Sequence, residues 1–332
     1  MTLDELAKEL GLDKSSVSLA LRNSPKISAA TRTRVHEAAR RLGYRPNLAA
    51  RQLRTRQAGV IGLVIPASFE TLGSQAAVRT VQVLAERCAQ EQLAFHILPG
   101  MAWAPAEDNQ YPFLPDGVLV WGDVPAERAA ELQRFQRPVV VLDPNHPSYL
   151  GATMPCLRID NRGGAQAVTA HLCEVGAKRL LFVQVRRDHL GHDERRETAH
   201  ATWCAGRPAS TFTARFTDTL SDGDLAEFAR RPGSAIFCSN DQGAVDLWHR
   251  LQRQKIAVPA QVRLAGFDGD DDRLRIGLTT AVFDAAALAR TAFDTIVGLV
   301  RGAAPAEIAP IPCQLRCGDS TQPPRRGRSR AA

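Results

Sequence analysis

Apolar positions in the first 43 residues recur three or four apart in three short stretches, which is the spacing of one helical face. Gly11 and Gly43 close the first and third stretches, and Thr2, Asp13 and Ser28 stand where helix N-caps are preferred. The apolar positions are Leu3, Leu6, Ala7 and Leu10, then Val17, Ala20 and Leu21, then Val35, Ala38, Ala39 and Leu42. The pattern predicts a small all-α head whose first two helices form a helix-turn-helix.

Short apolar runs alternate with amphipathic stretches after residue 57. The predicted strands are Val60–Ile65, Phe95–Leu98, Val118–Trp121, Val139–Leu142, Leu157–Ile159, Leu180–Val185, Ala235–Cys238 and Leu264–Phe267. Between them lie amphipathic stretches that predict helices, such as Gln75–Gln92, Gly163–Val175 and Gln242–Arg253. Continuous apolar strands separated by helices are typical of parallel sheets covered on both faces. The length of this region favours two sheets, so the sequence predicts an α/β body of two parallel-sheet subdomains behind the head.

The positive charge of the chain lies at its two ends. The formal net charge is +7, and residues 1–57 contain 12 Lys/Arg against 5 Asp/Glu. The remainder is neutral, with four arginines in its last ten residues. A basic head on a mildly acidic body is the charge distribution of a protein that meets a polyanion with one end. We expect the Pro/Arg-rich tail, residues 321–332, to be a solvated and disordered segment.

A helix-turn-helix places its second helix in the major groove of DNA, with the N-terminal side chains of that helix at the base edges. The outward positions of that helix are Lys14, Ser15, Ser18 and Leu19. Lysine and serine can hydrogen-bond bases or phosphates, and leucine can contact a thymine methyl group. The pattern therefore predicts DNA binding, and an ordinary exposed helix surface is the alternative.

A specific set of motifs runs from the end of the helix-turn-helix into the next segment. They are Ile27-Ser28, Thr31-Arg32, Arg34-Val35, Leu42-Gly43-Tyr44-Arg45-Pro46-Asn47, Ala50-Arg51 and Leu53. This set resembles the lactose-repressor/galactose-repressor family of bacterial regulators. The resemblance implies that residues from about 47 to 54 form a hinge helix on operator binding, with Leu53 wedged between base pairs in the minor groove.

The residues around Leu53 favour the same role. A leucine among Arg51, Gln52 and Arg54 suits a base step whose flanking phosphates are neutralised by the arginines. Packing of Leu53 on the linker is the alternative. The full set of predicted DNA contacts is Thr2, Lys14, Ser15, Ser16, Ser18, Leu19, Arg22, Thr31, Tyr44, Asn47, Ala50, Arg51, Leu53 and Arg54.

The resemblance continues through the body, at landmarks such as Asp160-Asn161, Asn240-Asp241 and Gly266-Phe267-Asp268. It implies a fold like that of a periplasmic sugar-binding protein, with a small-molecule effector in the cleft between the subdomains. It also implies that Arg195, Asn240 and Asp268 contact the effector from strand ends facing one cleft, where they suit vicinal hydroxyls. An apolar stacking surface could come from Phe69, Trp103, Trp121 or Trp203, of which Phe69 is the predicted contact.

Because of departures from the family pattern, the sequence does not identify the ligand. The family motif R-x-x-G-[FY] reads Arg195-Arg-Glu-Thr198-Ala199, and alanines occupy 285–287, where an aromatic residue is common in the family. Polar groups satisfied at a sheet edge are the alternative for the three effector residues. The alternatives for function are an effector-independent or protein-partnered regulator, a solute-binding protein with a vestigial head, and an α/β enzyme fused to a DNA-binding module.

These patterns predict a helix-turn-helix domain at 1–45, a hinge at 46–57 and an effector-binding and dimerisation domain at 58–320. The two subdomains of the latter are expected at roughly 58–158 plus 285–308, and 159–284 plus 309–320. The predicted function is a sequence-specific repressor that binds double-stranded DNA at a palindromic operator as a homodimer. A small-molecule effector, a sugar or sugar derivative by the resemblance, is expected to control it.

Other chemistry finds little support in the sequence. Seven cysteines at irregular spacing predict buried free thiols rather than disulfides or a zinc site. His189 and His192 form an H-x-x-H pair without a further ligand, and the acidic run from Asp268 to Asp272 lacks the pattern of a calcium loop. We therefore predict no metal, no cofactor and, since catalytic motifs are missing, no enzyme activity. The lack of a long apolar run or an export signal predicts a cytoplasmic protein without membrane contact.

Overall fold

The computed structural model describes residues 2–21, 24, 26–44, 58–65, 74–99, 115–122, 137–146, 154–187, 189–270 and 276–322. The chain divides into two compact units, residues 1–59 and 60–332, which we call the head and the body.

The head contains three helices, α1 (Leu3–Leu10), α2 (Lys14–Leu21) and α3 (Ala29–Arg41). The hydroxyl of Thr2 accepts the Glu5 N–H at the start of α1, and Ser28 caps α3 in the same way. Gly11 and Gly43 adopt the left-handed backbone conformation, with φ of +61° and +64°, which glycine takes at a helix end without steric cost. The predicted helix boundaries and these two N-caps are confirmed.

One apolar cluster holds the three helices of the head together. Its fully buried members include Leu6 of α1, Val17 and Ala20 of α2 and Val35 of α3. Every apolar position that the sequence pattern assigned to the head packs in or against this cluster. The all-α head is therefore confirmed.

The body contains six helices and eleven strands among its described residues. The helices are α4 (Gln75–Gln90), α5 (Asn161–Glu174), α6 (Leu190–Cys204), α7 (Asp222–Arg230), α8 (Asp241–Arg253) and α9 (Ala285–Val300). The strands are β1 (Val60–Ile65), β2 (Ala94–Pro99), β3 (Gly117–Trp121), β4 (Val139–Leu142), β5 (Cys156–Leu157), β6 (Arg179–Gln184), β7 (Phe212–Phe216), β8 (Ser234–Cys238), β9 (Val262–Asp268), β10 (Thr279–Phe283) and β11 (Cys313–Arg316).

Two sheets divide the body into two lobes. Sheet 1 is parallel in the order β2-β1-β3-β4-β5, and with α4 and α9 it forms lobe 1. Sheet 2 has the order β11-β10-β9-β8-β6-β7 and, with α5 to α8, forms lobe 2. All neighbouring strands of sheet 2 are parallel except β10 and β11. The predicted α/β body of two parallel-sheet units is confirmed.

The chain crosses between the lobes three times, from β5 to α5, from β10 to α9 and from α9 to β11. Ile159 and Ile311, on the first and third crossings, form an isolated parallel bridge. The first and third crossings therefore lie side by side, although they are far apart in sequence. Parallel sheets place the carboxyl ends of their strands at one edge, so the strand ends of each lobe are where a ligand site is expected.

All eight predicted strands are present within one or two residues, except that Ile159 of the predicted strand 157–159 lies in the isolated bridge. The pattern missed the strands β7, β10 and β11, and the stretches that form α6, α7 and α9 were not named among the predicted helices. The predicted placement of Arg195 at a strand end is wrong, because this residue lies within α6.

The seven cysteines are free thiols, but only Cys88 and Cys238 are buried and Cys317 is exposed, so the expectation of uniformly buried thiols is wrong. None of the helices in the described part of the chain has the length and apolar character that a membrane crossing needs.

Candidate nucleic-acid interface and ligand site

The start of α2 presents polar side chains on the surface of the head. Lys14 and Ser15 are exposed, while Ser16, Ser18 and Leu19 are partly buried beside the core residue Val17. The geometry therefore leaves the first turn of α2 as its most accessible part. This is the end of a recognition helix that contacts base edges in a helix-turn-helix.

Lys14 makes an ion pair within the head. Its Nζ lies 2.8 Å from Oδ2 of Asp4, and 55% and 63% of the two side chains are exposed. An exposed pair of this kind is worth about 0–1 kcal/mol, so a phosphate or base can replace Asp4 at little cost. Arg41 and Glu9 face each other at the longer distance of 4.0 Å, with both side chains mostly exposed.

The other predicted DNA contacts in the head lie at helix ends. Thr2 is exposed at the start of α1, and the Thr31 hydroxyl is 2.8 Å from Ser28 Oγ at the start of α3. Tyr44 packs against the apolar cluster, where burial raises the pKa of its phenol and nearby Lys14 opposes the shift. Helix N-termini with exposed N–H groups and hydroxyls are suited to phosphate.

Six predicted DNA contacts lie outside the described residues. They are Arg22, Asn47, Ala50, Arg51, Leu53 and Arg54.

Arg195 is the centre of a buried polar network in lobe 2. Its Nε donates to Oδ1 of Asn161 at 2.8 Å, and its Nη1 donates to the Ser239 carbonyl at 2.6 Å. Nη1 also lies 3.3 Å from Oδ1 of Asp268, and the guanidinium stacks over the Phe267 ring at 3.6 Å. The network brings Arg195 and Asp268 together and holds the guanidinium plane from several sides.

Asp268 ends β9 in a strained conformation. Its φ is +110°, a region that non-glycine residues rarely occupy and that is often found at functional sites. Burial raises the pKa of Asp268 to about 7, while Arg195 opposes the shift and the nearby carboxylates of Asp270 and Asp143 add to it. With 27% of its side chain exposed, Asp268 is the accessible partner of an otherwise buried pair. It can therefore accept a hydrogen bond from a ligand or, when protonated, donate one.

Asn240 lies next to this network at the N-terminus of α8. Its Oδ1 accepts the Gly243 N–H at 2.9 Å, so the side chain is an N-cap. Its neighbour Ser239 supplies the carbonyl that holds Arg195. The three predicted effector residues thus come from α6, the cap of α8 and the end of β9, and only Arg195 and Asp268 contact each other directly.

Asp241 is a site residue that the sequence analysis named only as part of a landmark. It is fully buried, its Oδ1 accepts the Thr280 hydroxyl at 2.7 Å, and its Oδ2 accepts the N–H groups of Gly269 and Asp270. Burial, reinforced by the Asp268 carboxylate, raises the pKa of Asp241 well above its ordinary value. Its position directly after Asn240 in the N-D motif is the signal that could have found it.

Asn161 and Glu194 form a second layer behind Arg195. Nδ2 of Asn161 lies 3.3 Å from Oε2 of Glu194, and Oε1 of Glu194 accepts from Arg158. Asn161 thus accepts a hydrogen bond from Arg195 and donates one to Glu194. The layer orients the guanidinium, and the Asp160-Asn161 landmark was its signal in the sequence.

His189 and His192 lie at the start of α6. Their rings stack at 4.2 Å between centroids, and Nδ1 of His192 lies 3.2 Å from the Ser239 hydroxyl. Burial lowers the pKa of His192 well below its ordinary value, and His189 and Arg195 lower it further. Across the described ranges, no group of three or more His, Cys, Asp or Glu side chains is placed to hold a metal ion.

The aromatic candidates for stacking have different positions. Trp203 is fully buried in the core and donates its Nε1–H to Thr211 at 2.9 Å, so it cannot face a ligand. Trp121, at the end of β3, is partly buried. Phe69, the predicted contact, and Trp103 lie outside the described residues.

Comparison with known proteins agrees with both units. Residues 2–47 match the profile of bacterial regulatory proteins of the lacI family, and residues 169–321 match that of a periplasmic binding protein-like domain. An HTH-type transcriptional regulator of Mycolicibacterium smegmatis is 30% identical over 314 residues, which cover 84% of this chain and 85% of that relative. The family resemblance stated from the sequence is confirmed.

Solved structures share the fold. A lac repressor dimer bound to operator and the anti-inducer ONPF has a TM-score of 0.69 at 18% identity, covering 97% of this chain and 99% of that one. A LacI family transcriptional regulator from Enterococcus faecium with bound ribose has a TM-score of 0.66 at 17% identity, covering 79% of this chain and 98% of that one.

Proposed function

The chain belongs to the lacI family of bacterial regulatory proteins and is a transcriptional regulator, and on that premise we propose that it is a repressor whose operator affinity is set by a small molecule. The observation that carries the proposal is the Arg195–Asp268 pair, which places a fixed donor and a partly exposed acceptor at one edge of lobe 2. Donors and acceptors that are already fixed in position favour the binding of a small ligand, because less ordering is needed when it binds.

The head supplies the DNA contacts in this proposal. The accessible first turn of α2, with Lys14 and Ser15, reads base edges, and the hydroxyls of Thr2 and Thr31 meet phosphates. Tyr44 is a further proposed DNA contact among the described residues of the head. The hinge contacts around Leu53 remain part of the proposal on the strength of the sequence.

The effector proposed for the body is a sugar or sugar derivative. Arg195 donates, Asp268 accepts, and the side-chain amide of Asn240 adds a donor beside them, which together suit a pair of vicinal hydroxyls. A ribose-bound family member with the same fold supports this class of ligand. A ligand hydroxyl that bonds Asp268 competes with the 3.3 Å contact to Arg195, so binding changes the network.

A homodimer in the cytoplasm is the proposed working form. A palindromic operator needs two heads, and the fold is shared with a lac repressor dimer. Lobe 1 exposes the large apolar side chains Val78 of α4 (44%) and Ile97 of β2 (51%), which a second copy would cover. Residues 1–45, 46–57 and 58–320 are the proposed DNA-binding, hinge and effector domains.

The proposed mechanism couples the cleft to the hinge. Effector binding changes the angle between the lobes in each subunit, which moves the two hinge segments of a dimer relative to each other. Hinge segments held at the wrong separation cannot fold together in the minor groove, and operator affinity falls.

One observation favours an effector-independent regulator as the second candidate. Arg195 already donates to Asn161 and Ser239 and pairs with Asp268, so the network is satisfied without a ligand. The two candidates differ in one measurable property. Only the first predicts that a small molecule raises the melting temperature of the wild-type chain and leaves that of Asp268→Asn unchanged.

The experiment for the proposed function is a fluorescence-anisotropy titration of an operator selected from random DNA. The wild-type chain, Leu53→Ala and the matched control Leu53→Met are compared at two salt concentrations. We expect affinity to fall steeply with salt because phosphates are neutralised, and Leu53→Ala to bind at least about tenfold more weakly while Leu53→Met stays close to wild type. Equal binding by all three chains would exclude the minor-groove wedge.

A further inference from the structure

Hydrogen bonds to other elements of lobe 2 hold the first two residues after β9. Asp268 and Gly269 have φ of +110° and +86°, so the chain turns sharply where the strand ends. The Gly269 carbonyl accepts from Arg316 of β11 at 3.2 Å, and the N–H groups of Gly269 and Asp270 both donate to one oxygen of Asp241. We call residues 268–270 the β9 turn.

Asp241 is built into the sheet beneath the β9 turn. Its Oδ2 receives the N–H groups of Gly269 at 2.8 Å and Asp270 at 2.7 Å, and Thr280 of β10 donates to its Oδ1. A Cβ on Gly266 would lie 2.2 Å from this Oδ1, so the glycine is required for the carboxylate to sit against β9. The fully buried carboxylate thus sets the position of the whole turn.

The side chain of Asp270 reaches from the β9 turn into the other lobe. Its Oδ1 accepts the N–H of Gln75, the first residue of α4, at 2.8 Å. Ser74 accepts the Ala77 N–H within lobe 1, so the start of α4 is capped partly by its own lobe and partly by lobe 2. A carboxylate is favourable at a helix N-terminus because it meets unpaired N–H groups and the positive end of the helix dipole.

A second hydrogen bond joins the lobes near the same network. The N–H of Leu190, at the start of α6, donates to the Asn145 carbonyl after β4 at 2.7 Å. Leu190 lies five residues before Arg195, and Asp270 lies two residues after Asp268. Each partner of the Arg195–Asp268 pair is therefore close in sequence to a hydrogen bond between the lobes.

We propose that Asp270 holds the two lobes of the body together through its hydrogen bond to Gln75, which we call the latch, and that Asp241 is the positioning residue for the Asp270 side chain. The β9 turn carries Asp268 at one end and Asp270 at the other, so a ligand that displaces Asp268 from Arg195 also acts on the latch. That consequence for operator affinity rests on the proposed function, while the latch itself is a property of the body alone.

The test is a distance measurement between the lobes by pulsed electron paramagnetic resonance on the full chain, without DNA or small molecules. Spin-labelled unnatural amino acids replace the exposed residues Gln90 of α4 and Gln252 of α8, so the native cysteines stay in place. The labelled chain is diluted with unlabelled chain so that only distances within one chain contribute.

Three variants distinguish the loss of the hydrogen bond between Asp270 and Gln75 from a general destabilisation of the body. We expect Asp270→Ala to shift the distance distribution away from that of the wild type and to broaden it, because the link to Gln75 is lost. Asp270→Asn keeps an acceptor oxygen and should restore the wild-type distribution. The exposed Asp246→Ala on α8 removes the same charge without touching the lobe contact and should also match the wild type.

Asp241→Asn tests the positioning role. Its amide cannot accept the two turn N–H groups and the Thr280 hydroxyl at once, so we expect the distribution of Asp270→Ala. A wild-type distribution in Asp270→Ala overturns the latch, and a wild-type distribution in Asp241→Asn overturns the positioning role. Because neither readout involves DNA or an effector, a failure here is distinct from a failure of the proposed repressor function.

Discussion

The head and the network around Arg195 in the body hold their charged side chains in opposite ways. In the head, Lys14 and Asp4 pair while more than half of each side chain stays in water. In the body, Arg195 is 3% exposed and bonded on several sides, and Asp241 is fully buried. Exposed pairs are worth about 0–1 kcal/mol, whereas removing one partner of a buried pair costs about 3–5 kcal/mol.

This difference matches the partners proposed for the two regions. When DNA binds, contacts to phosphates replace bound salt ions and weak ion pairs on the protein surface. The basic groups of the head must therefore separate easily from their partners in the head. A small ligand offers few contacts, and its binding gains from donors and acceptors that are already fixed in position. The buried network around Arg195 fixes them.

The largest effect is expected from Arg195→Ala. The change leaves Asp268, the Asn161 amide and the Ser239 carbonyl without their shared donor, so the body should lose about 3–5 kcal/mol of its free energy of unfolding. Urea denaturation followed by tryptophan fluorescence measures the loss. Arg215→Ala, an exposed arginine on β7 of the same lobe, is the matched control and should stay within about 0.5 kcal/mol of wild type. Equal losses in the two variants would contradict the central role of the network.

A moderate effect is expected from pH at Asp268. The folded protein holds this proton up to a pKa of about 7, while the unfolded chain releases it near the ordinary value of 3.8. The stabilising contribution is therefore complete below about pH 3.8 and is lost as pH rises through 7. Relative to Asp268→Asn, the free energy of unfolding of the wild type should fall between pH 5 and pH 7, by at most about 1.4 kcal/mol per pH unit. Denaturation curves at several pH values check this, and a wild-type free energy of unfolding that stays constant or rises relative to that of Asp268→Asn between pH 5 and pH 7 would refute it.

The smallest effect is expected from Asp4→Asn in the head. The exposed pair with Lys14 contributes about 0–1 kcal/mol, so the head should stay folded and bind operator no more than about fivefold more tightly. Asp218→Asn breaks an exposed pair with Arg187 in the body and should leave operator affinity unchanged. Weaker operator binding by Asp4→Asn, measured by anisotropy, would show that the pair positions Lys14 instead of restraining it.

The sequence predicted the parts of the fold that have a strong local pattern. The three head helices and all eight strands of the prediction follow from apolar spacing and caps. The missed strands β7 and β11 lie at the edges of sheet 2 and are only partly buried, so their residues do not form continuous apolar runs. Helix α9 was not named, although its buried residues recur three or four apart along one face, because the alanines in which it begins were considered only as the loss of a family aromatic.

Only the site residues that stand in family motifs could be predicted from the sequence. Arg195 and Asp268 were named from the family pattern, and the structure places them 3.3 Å apart. Asp241 and Asn161 were not chosen because their roles depend on hydrogen bonds between elements that are distant in sequence. The bond from Gln75 to Asp270 joins residues 195 positions apart, and no local pattern signals it.

The most direct test of sequence-specific DNA binding by the head compares two DNA duplexes. The full chain is titrated by fluorescence anisotropy with the selected operator and with a shuffled duplex of the same base composition, while salt is raised. We expect a preference for the operator of about a thousandfold or more at physiological salt, with binding to both duplexes weakening as salt increases. Equal affinity for the two duplexes at every salt concentration would contradict sequence recognition by α2, and with it the assignment of the head.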